Sequence, residues 1–580
     1  MRSPLLRRLL RTLGRRPGLA LAVVATLALG IGANTAIFSV VDAYLLRPLA
    51  YPHAERLVEV WDRQPPAERA PASLPELLDW QRSRSLDLLA GSVSMGLTLT
   101  GGDLPQRVRA TLVTPGYLDL FGAQPLLGRG FTPGEEREGG PRAALLGYQL
   151  WRERFGGRRD VLGRALVLDG KTYEVVGVLG AGAPALGRSP ATLWLPLLPN
   201  TPWRQEGVHY LTVVGRLRPG VSLAAARAET AAMVRGVDAA RHRGHGIELV
   251  PLREHFVGDA APRLALLLAA VGLVLLIAVA NVAALLLARA VERAEELALR
   301  AALGAGRRAL LVQGLEESVA YGLLGGIAGL AAGAWGTRAL VAMLPADVPR
   351  LPEVGVDWRV LAFTAAVSLL VTLLCGLAPA WVGARADARA SLAGGRTAGV
   401  SRASGRLRQA LVVAQLSLCA LLLVGAGLML HSFQRLRAVD PGFRTQRLLT
   451  FQLSLPDSRY GEPALREALL DQLLVRVPQL PGVTAVALAN DLPLTGDGMS
   501  GDLTVEGRTD AEPVTAWKWI VSERYFTALG IPLHRGRAFT PQDRTGSRPV
   551  TIVSEGLARR LWPGQDPLGK RLRVLVCGAD

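Results

Sequence analysis

The sequence predicts an α-helical membrane protein carrying two α+β domains outside the lipid, and three observations predict it. Five apolar runs each approach the roughly 20 residues that a helix needs to cross a bilayer. Arginines flank those runs asymmetrically, as the positive-inside rule requires. A stretch beginning near residue 113 recurs 408 residues later, so one outside domain is present twice. The composition agrees. Of 580 residues, 50% are hydrophobic and 20% charged, and the mean hydropathy is +0.26. That balance is too apolar for a disordered chain. Three cysteines supply neither a CxxC pair nor a disulfide framework.

The net charge of +18 admits nucleic acid or a membrane surface as partner, and the placement of the charges decides. Arg2, Arg7, Arg8, Arg11, Arg15 and Arg16 precede the first apolar run. Arg289, Arg293, Arg300, Arg307 and Arg308 follow the second, and Arg385 to Arg408 carry six more between the fourth and fifth. The loop between the third and fourth sets Arg350 against Asp347, Glu353 and Asp357. One topology satisfies this pattern, with a cytoplasmic N-terminus and a multi-pass chain. The cations are thereby explained by lipid, and nucleic acid is not a partner.

The elements follow in order. Residues 1–17 form an Arg/Leu amphipathic segment suited to the anionic inner leaflet. The first span is 18–41, read as a retained helix because the later topology works only if it stays. Residues 42–262 form the first outside domain. Within it, 173–179 and 210–217 read as strands, 222–237 as an Ala-rich helix and 247–251 as a strand, which implies a βαβ unit. The second span is 264–288, the third 318–338 and the fourth 360–382. A cytoplasmic segment at 289–308 and a linker at 383–409 separate them. The fifth span, 410–430, leads into a second outside domain at 431–580. There, 449–455 and 483–489 read as strands around a helix at 463–477.

The repeat aligns Val113 to Pro133 with Val521 to Pro541 without a gap, pairing Tyr117 with Tyr525, Gly122 with Gly530, Arg129 with Arg537 and Phe131 with Phe539. Asp160 to Gly163 then matches Asp566 to Gly569. The first copy runs on for about 100 residues beyond that motif and the second does not. The second domain is therefore expected to be incomplete relative to a longer, duplicated ancestor.

At this point the residues resemble a known family. Leu27 to Val40 (LALGIGANTAIFSV) with Leu45-Leu-Arg-Pro48, Ala280 to Arg289 (ANVAALLLAR), and Glu296 to Ala305 (ELALRAALGA) resemble MacB/FtsX-type ABC transporter permeases, and among them the duplicated orphan permease group. The resemblance implies MacB-like periplasmic core domains in two copies, a bacterial inner (cell) membrane location and a separate cytoplasmic ABC ATPase subunit. It leaves room for a second permease chain and a periplasmic adaptor. It implies a permease relaying ATPase motion to periplasmic domains for export, efflux or extraction of substrate. The alternatives are an FtsX-like scaffold regulating a periplasmic enzyme, or a non-functional truncated permease.

Two residue groups are candidates for that work. Glu292, Glu296, Leu299, Arg300, Leu303 and Gly304 lie at helical spacing in the 289–308 segment, with Glu296 and Arg300 an i,i+4 pair, and the resemblance makes this the ATPase coupling helix. The third span holds Gly322, Gly325, Gly326, Gly329 and Gly333, three overlapping GxxxG spacings suited to close helix packing, with the partner helix undecided. Asn34 and Asn281 are polar groups at lipid depth, suited to interhelical hydrogen bonds.

Enzymatic signals fail. Gly170-Lys171-Thr172 resembles the end of a phosphate loop, but Ala165 stands where its first glycine belongs, so a hairpin turn is expected. His242, His245, His255 and Glu254 are irregularly spaced among arginines, which oppose a cation. No catalytic residue, cofactor or metal ligand is assigned.

Overall fold

The computed structural model describes residues 17–574, apart from 65–66, 102–104, 184–191, 199–208, 237–245, 259, 293–306, 345–352, 385–397, 454, 456, 495–498, 508–513 and 545. The chain divides into two compact units. One joins Met1–Pro48 to Phe256–Val439, and the other joins Leu49–His255 to Asp440–Asp580.

The first unit is helical. Its long helices are α1 (Pro17–Val41), α2 (Ala260–Glu292), α3 (Arg307–Met343), α4 (Trp358–Ala384) and α5 (Ala398–Ala438). Among the described residues, five stretches are long and apolar enough to cross a membrane: Pro17–Leu46, Ala260–Arg289, Ser318–Met343, Trp358–Gly376 and Gly405–Ala438. A buried cluster on α1, α2, α3 and α4 includes Val23, Leu27, Ile31, Val282, Tyr321 and Val371. Leucines such as Leu21, Leu29, Leu369 and Leu423 stay exposed on the helices, as lipid-facing positions do.

In the second unit, residues 57–251 form one eleven-stranded sheet. Its strands are β1 (Leu57–Gln64), β2 (Ala67–Ala70), β3 (Leu86–Thr100), β4 (Gln106–Val113), β5 (Pro125–Gly128), β6 (Ala143–Leu146), β7 (Ala165–Leu168), β8 (Lys171–Leu179), β9 (Leu193–Pro196), β10 (Thr212–Leu217) and β11 (Gly246–Pro251). The order is β11-β1-β10-β3-β4-β9-β6-β8-β5. The expected strand-helix-strand at the end of this domain is present as β10, the helix Leu223–Gly236 and β11. It is a split unit, because β1 lies antiparallel between β10 and β11. The pair β1 and β3, joined through the helix Leu74–Trp80, is split in turn by β10. These four strands therefore stand in the 4-1-3-2 order of a ferredoxin-like βαββαβ fold. Residues 106–196 are inserted between its second and third strands.

Each half has its own core. Val58, Val60, Leu77, Trp80, Leu211 and Leu249 fill the βαββαβ half. Val108, Leu146, Trp151, Val161, Val175 and Leu193 fill the inserted half. The helix Tyr148–Phe155 carries Trp151 into that second core and crosses between the parallel strands β6 and β8. Gly170-Lys171-Thr172 is a hairpin, with Asp169 (φ 45°) and Gly170 (φ 77°) turning β7 into β8. Two successive positive φ angles are what an Asp-Gly type I′ turn requires.

The second copy holds a three-stranded sheet of β12 (Met499–Val505), β13 (Val514–Lys518) and β14 (Leu572–Val574), in the order β13-β12-β14. This repeats β4-β3-β7 of the first copy, where Leu99 pairs with Leu168 as Leu503 pairs with Val574. The helix at Pro463–Arg476 is present. The strands expected at 449–455 and 483–489 are not formed among the described residues; Ala489 makes a single bridge to Val521. In the first copy the corresponding strand to 449–455, β1, is held between β10 and β11, whereas the described residues of 449–455 pair with no strand. Leu449 and Phe451 are accordingly 88% and 66% exposed.

Leu145 on β6 is fully buried. Leu145→Ala is expected to cost about 2–5 kcal/mol by loss of contacts and an unfilled cavity. Thermal unfolding of the full chain in detergent should show this as a lowered transition of the α+β unit.

Candidate functional site

The helical unit is organised around α1. Three glycines of α3 meet it where no side chain would fit. A Cβ on Gly325 would stand 2.7 Å from Leu27 Cβ, one on Gly329 2.8 Å from Ile31 Cβ, and one on Gly333 2.7 Å from Thr35 Cβ. Gly32 on α1 returns the contact, with a Cβ there 3.0 Å from the Gly329 carbonyl oxygen. The other two glycines of the stripe face α4: Gly322 meets Thr372, and a Cβ on Gly326 would be 2.7 Å from Ser368 Oγ. The GxxxG pattern thus serves two neighbours in the same chain, each one turned to by one side of α3.

Polar side chains on α1 are satisfied within this packing. Asn34 Nδ2 donates to the Gly30 carbonyl (2.9 Å) and across to Val271 of α2 (2.8 Å). The Thr35 hydroxyl donates to Ile31 (2.8 Å) and lies 3.0 Å from the Thr364 hydroxyl of α4. Phe38 and Phe363 stack at 3.8 Å. Asn281 is exposed on α2.

Both ends of the bundle carry charge. At Asp42 the helix passes into a π turn, Asp42–Leu46, immediately before the chain enters the α+β domain. Asp42 is fully buried. Arg47 Nη2 reaches its Oδ2 at 3.2 Å, and Arg359 Nη1 stands 3.6 Å from its Oδ1. Arg47 also binds Asp357 (2.9 Å) and the Glu353 carbonyl (3.0 Å). Asp357 in turn caps α4, its Oδ1 accepting from the backbone N–H groups of Arg359 and Val360, both at 3.0 Å. One carboxylate therefore starts α4 and holds the end of α1. At the opposite end, Arg289 of α2 donates to the Tyr321 hydroxyl of α3 (3.0 Å), with both residues buried. The charge pattern placed Arg289 in the cytoplasmic 289–308 segment; burial against Tyr321 has no signal in local sequence.

Of the coupling candidates, Glu292 is the last residue of α2. Its side chain, together with Glu296, Leu299, Arg300, Leu303 and Gly304, lies outside the described residues, as does the amphipathic segment before Pro17.

In the α+β unit the repeated motif carries the same bonds twice. Arg129 grips Glu135 through both terminal nitrogens (2.9 and 2.7 Å), and Arg537 grips Asp543 likewise (2.6 and 2.7 Å). Each carboxylate also accepts from a threonine N–H, Thr132 or Thr540, at 2.8 Å. The arginine hydrogen bonds hold both carboxyls below the ordinary carboxylate range. Gly122 and Gly530 both take positive φ, 61° and 68°. His242 and His245 lie outside the described residues. His255, in the short helix Leu252–Val257, places Nδ1 3.1 Å from the buried Glu59 on β1.

Family models match this chain over most of its length. The MacB-like periplasmic core domain matches residues 20–233 and again 410–577, and the FtsX-like permease C-terminal domain matches 268–388. The chain belongs to the MacB/FtsX-type ABC transporter permeases. This permease is 25% identical over 283 residues to the ABC transporter permease YknZ of Bacillus subtilis (strain 168), covering 47% of this chain and 67% of that one. It is 26% identical over 234 residues to the macrolide export ATP-binding/permease protein MacB of Bdellovibrio bacteriovorus, covering 38% of this chain and 35% of that one. The match thus spans about a third of that MacB. The crystal structure of the extracellular domain of YknZ from Gram-positive bacteria is 15% identical, covers 33% of this chain and 99% of that domain, and gives a TM-score of 0.25.

Two expectations follow for the permease. Gly329→Leu should force α1 and α3 apart, at about 1–3 kcal/mol for overpacking, and lower the unfolding midpoint of the helical unit in detergent, whereas Gly427→Leu, with nothing near its Cβ position, should not. The hydrogen bond to Glu59 raises the His255 pKa above its ordinary value. A raised folded pKa means the contact contributes fully below about pH 6.5 and is lost as pH rises through the raised value. The melting temperature of wild type relative to His255→Asn should therefore be highest in mild acid and converge in base, in thermal scans at several pH values.

Proposed function

We propose that this permease relays the motion of a separate cytoplasmic ABC ATPase through its helices to the periplasmic core domains, for export, efflux or extraction of a substrate. The observation that carries the reading is the dual attachment of α1. It is packed backbone-close against α3 at Gly325, Gly329 and Gly333, and its far end, pinned by Arg47 and Arg359 at Asp42, continues directly into the first core domain. A displacement of α3 has little slack to dissipate before it reaches that junction. The other boundary of the domain continues into α2, which leads to the 289–308 segment. One segment facing the cytoplasm is thus linked by a single helix to the core domain.

In this reading the N-terminus and residues 289–308 are cytoplasmic, both core domains are periplasmic, and the chain sits in the inner membrane, consistent with the arginine distribution. Glu292, Glu296 and Arg300 supply polar contacts to the ATPase, and Leu299, Leu303 and Gly304 supply its apolar footing and helix end. The chain supplies no ATP site of its own. A second permease chain and a periplasmic adaptor are further partners in this reading.

Purified permease is expected to hydrolyse no ATP alone and to co-purify with an ABC ATPase subunit. Combining Glu296→Ala with Leu303→Ala should weaken that association several-fold in a pull-down; unchanged recovery of the ATPase removes the coupling assignment. Loss of a substrate-dependent efflux phenotype on deletion supports transport, whereas a bound periplasmic hydrolase without efflux supports an FtsX-like scaffold.

A further inference from the structure

Three buried side chains that the transport reading does not use come together in the first core domain. Asp62 stands near the end of β1, Glu76 in the first turn of the helix Leu74–Trp80, and His209 just ahead of β10. They are 1%, 6% and 8% exposed. His209 Nδ1 lies 3.4 Å from Glu76 Oε2 and 3.8 Å from Asp62 Oδ2, and each residue offers one ligand atom within 4.8 Å of those of the other two. Sequence spacing gave no hint of this, since His209 is 133 residues from Glu76. The backbone makes the meeting. β1 runs antiparallel to β10, and the bridge between Ala72 and Leu211 lays the entry to β10 along the loop that caps the helix. Glu76 is aimed by its capping box, with Oε2 accepting from the Ser73 N–H (2.7 Å) and hydroxyl (2.8 Å).

We propose that Asp62, Glu76 and His209 bind a divalent transition-metal ion of the Zn²⁺ class. A tetrahedral ion with bonds near 2.1 Å holds its ligand atoms about 3.4 Å apart, close to the separations from His209 Nδ1. The donor set, one imidazole and two carboxylates, suits Zn²⁺ and its neighbours, whereas Ca²⁺ and Mg²⁺ take oxygen ligands alone. Three protein ligands leave a fourth position for water or another donor. Such an ion ties β1, the capped helix and the start of β10 together, clamping the ferredoxin-like half of the domain at one end. The inference is independent of the transport reading.

The test uses the full chain purified in detergent with an affinity tag free of histidine, stripped by chelator, reloaded with excess Zn²⁺ and then passed over a desalting column. Zn²⁺ is expected to remain at one equivalent per chain, to raise the melting temperature of the core domain, and to displace Co²⁺ whose visible d–d absorption reports nitrogen and oxygen coordination. His209→Ala and, independently, Glu76→Gln should each weaken binding by roughly ten-fold or more. A wild-type chain that retains no Zn²⁺ and develops no Co²⁺ absorption overturns the proposal, and so does unchanged affinity in both variants. The wild-type measurements decide the matter even where a variant fails to fold.

Discussion

Close approach of α1 and α3 is the constraint on which the helical unit depends. In lipid, apolar side chains gain nothing by leaving the surroundings for one another, so helices associate through fitted contact and hydrogen bonds. Gly325, Gly329 and Gly333 let Leu27, Ile31 and Thr35 seat against bare backbone, and Gly32 reciprocates from the other side. A contact this close leaves no room for a side chain between the two backbones.

Polar groups complete the fit because an unpaired donor in hydrocarbon is expensive. Asn34 spends its amide on its own helix and on Val271, and Thr35 shares a bond with Thr364. The charges concentrate where α1 ends. The π turn at Asp42–Leu46 displaces the chain from the regular helical path, and Arg47 is thereby brought to Asp42 and Asp357 together. π turns recur at functional positions because they re-aim side chains at a small cost in regularity.

The two core domains show how a repeated sequence keeps a bond while changing its residues. Arg129 and Arg537 each close a loop of the same length onto an acid six residues on, a glutamate in one copy and an aspartate in the other. Both acids also hold a threonine N–H. The sheet beyond that loop differs more. β13-β12-β14 reproduces β4-β3-β7, but the counterpart of β1 has no strand partner among the described residues, and Leu449 and Phe451 in it are exposed.

Much was legible in the sequence because it is written locally. Hydropathy alone marks the five apolar helices, β-branched composition marks β8 and β10, and an exact offset of 408 marks the doubled domain. The glycine stripe announced close packing, though not that α1 and α4 share it. Long-range pairing was beyond local pattern. The strand-like stretch at 449–455 makes no ladder among its described residues, whereas β1 in the first copy does, since a strand is completed by its neighbours' hydrogen bonds. The insertion of β1 between β10 and β11, the burial of Arg289 against Tyr321, and the convergence of Asp62, Glu76 and His209 were likewise decided by tertiary structure. Periodicity tells each residue which way it faces; only the folded chain tells it what stands opposite.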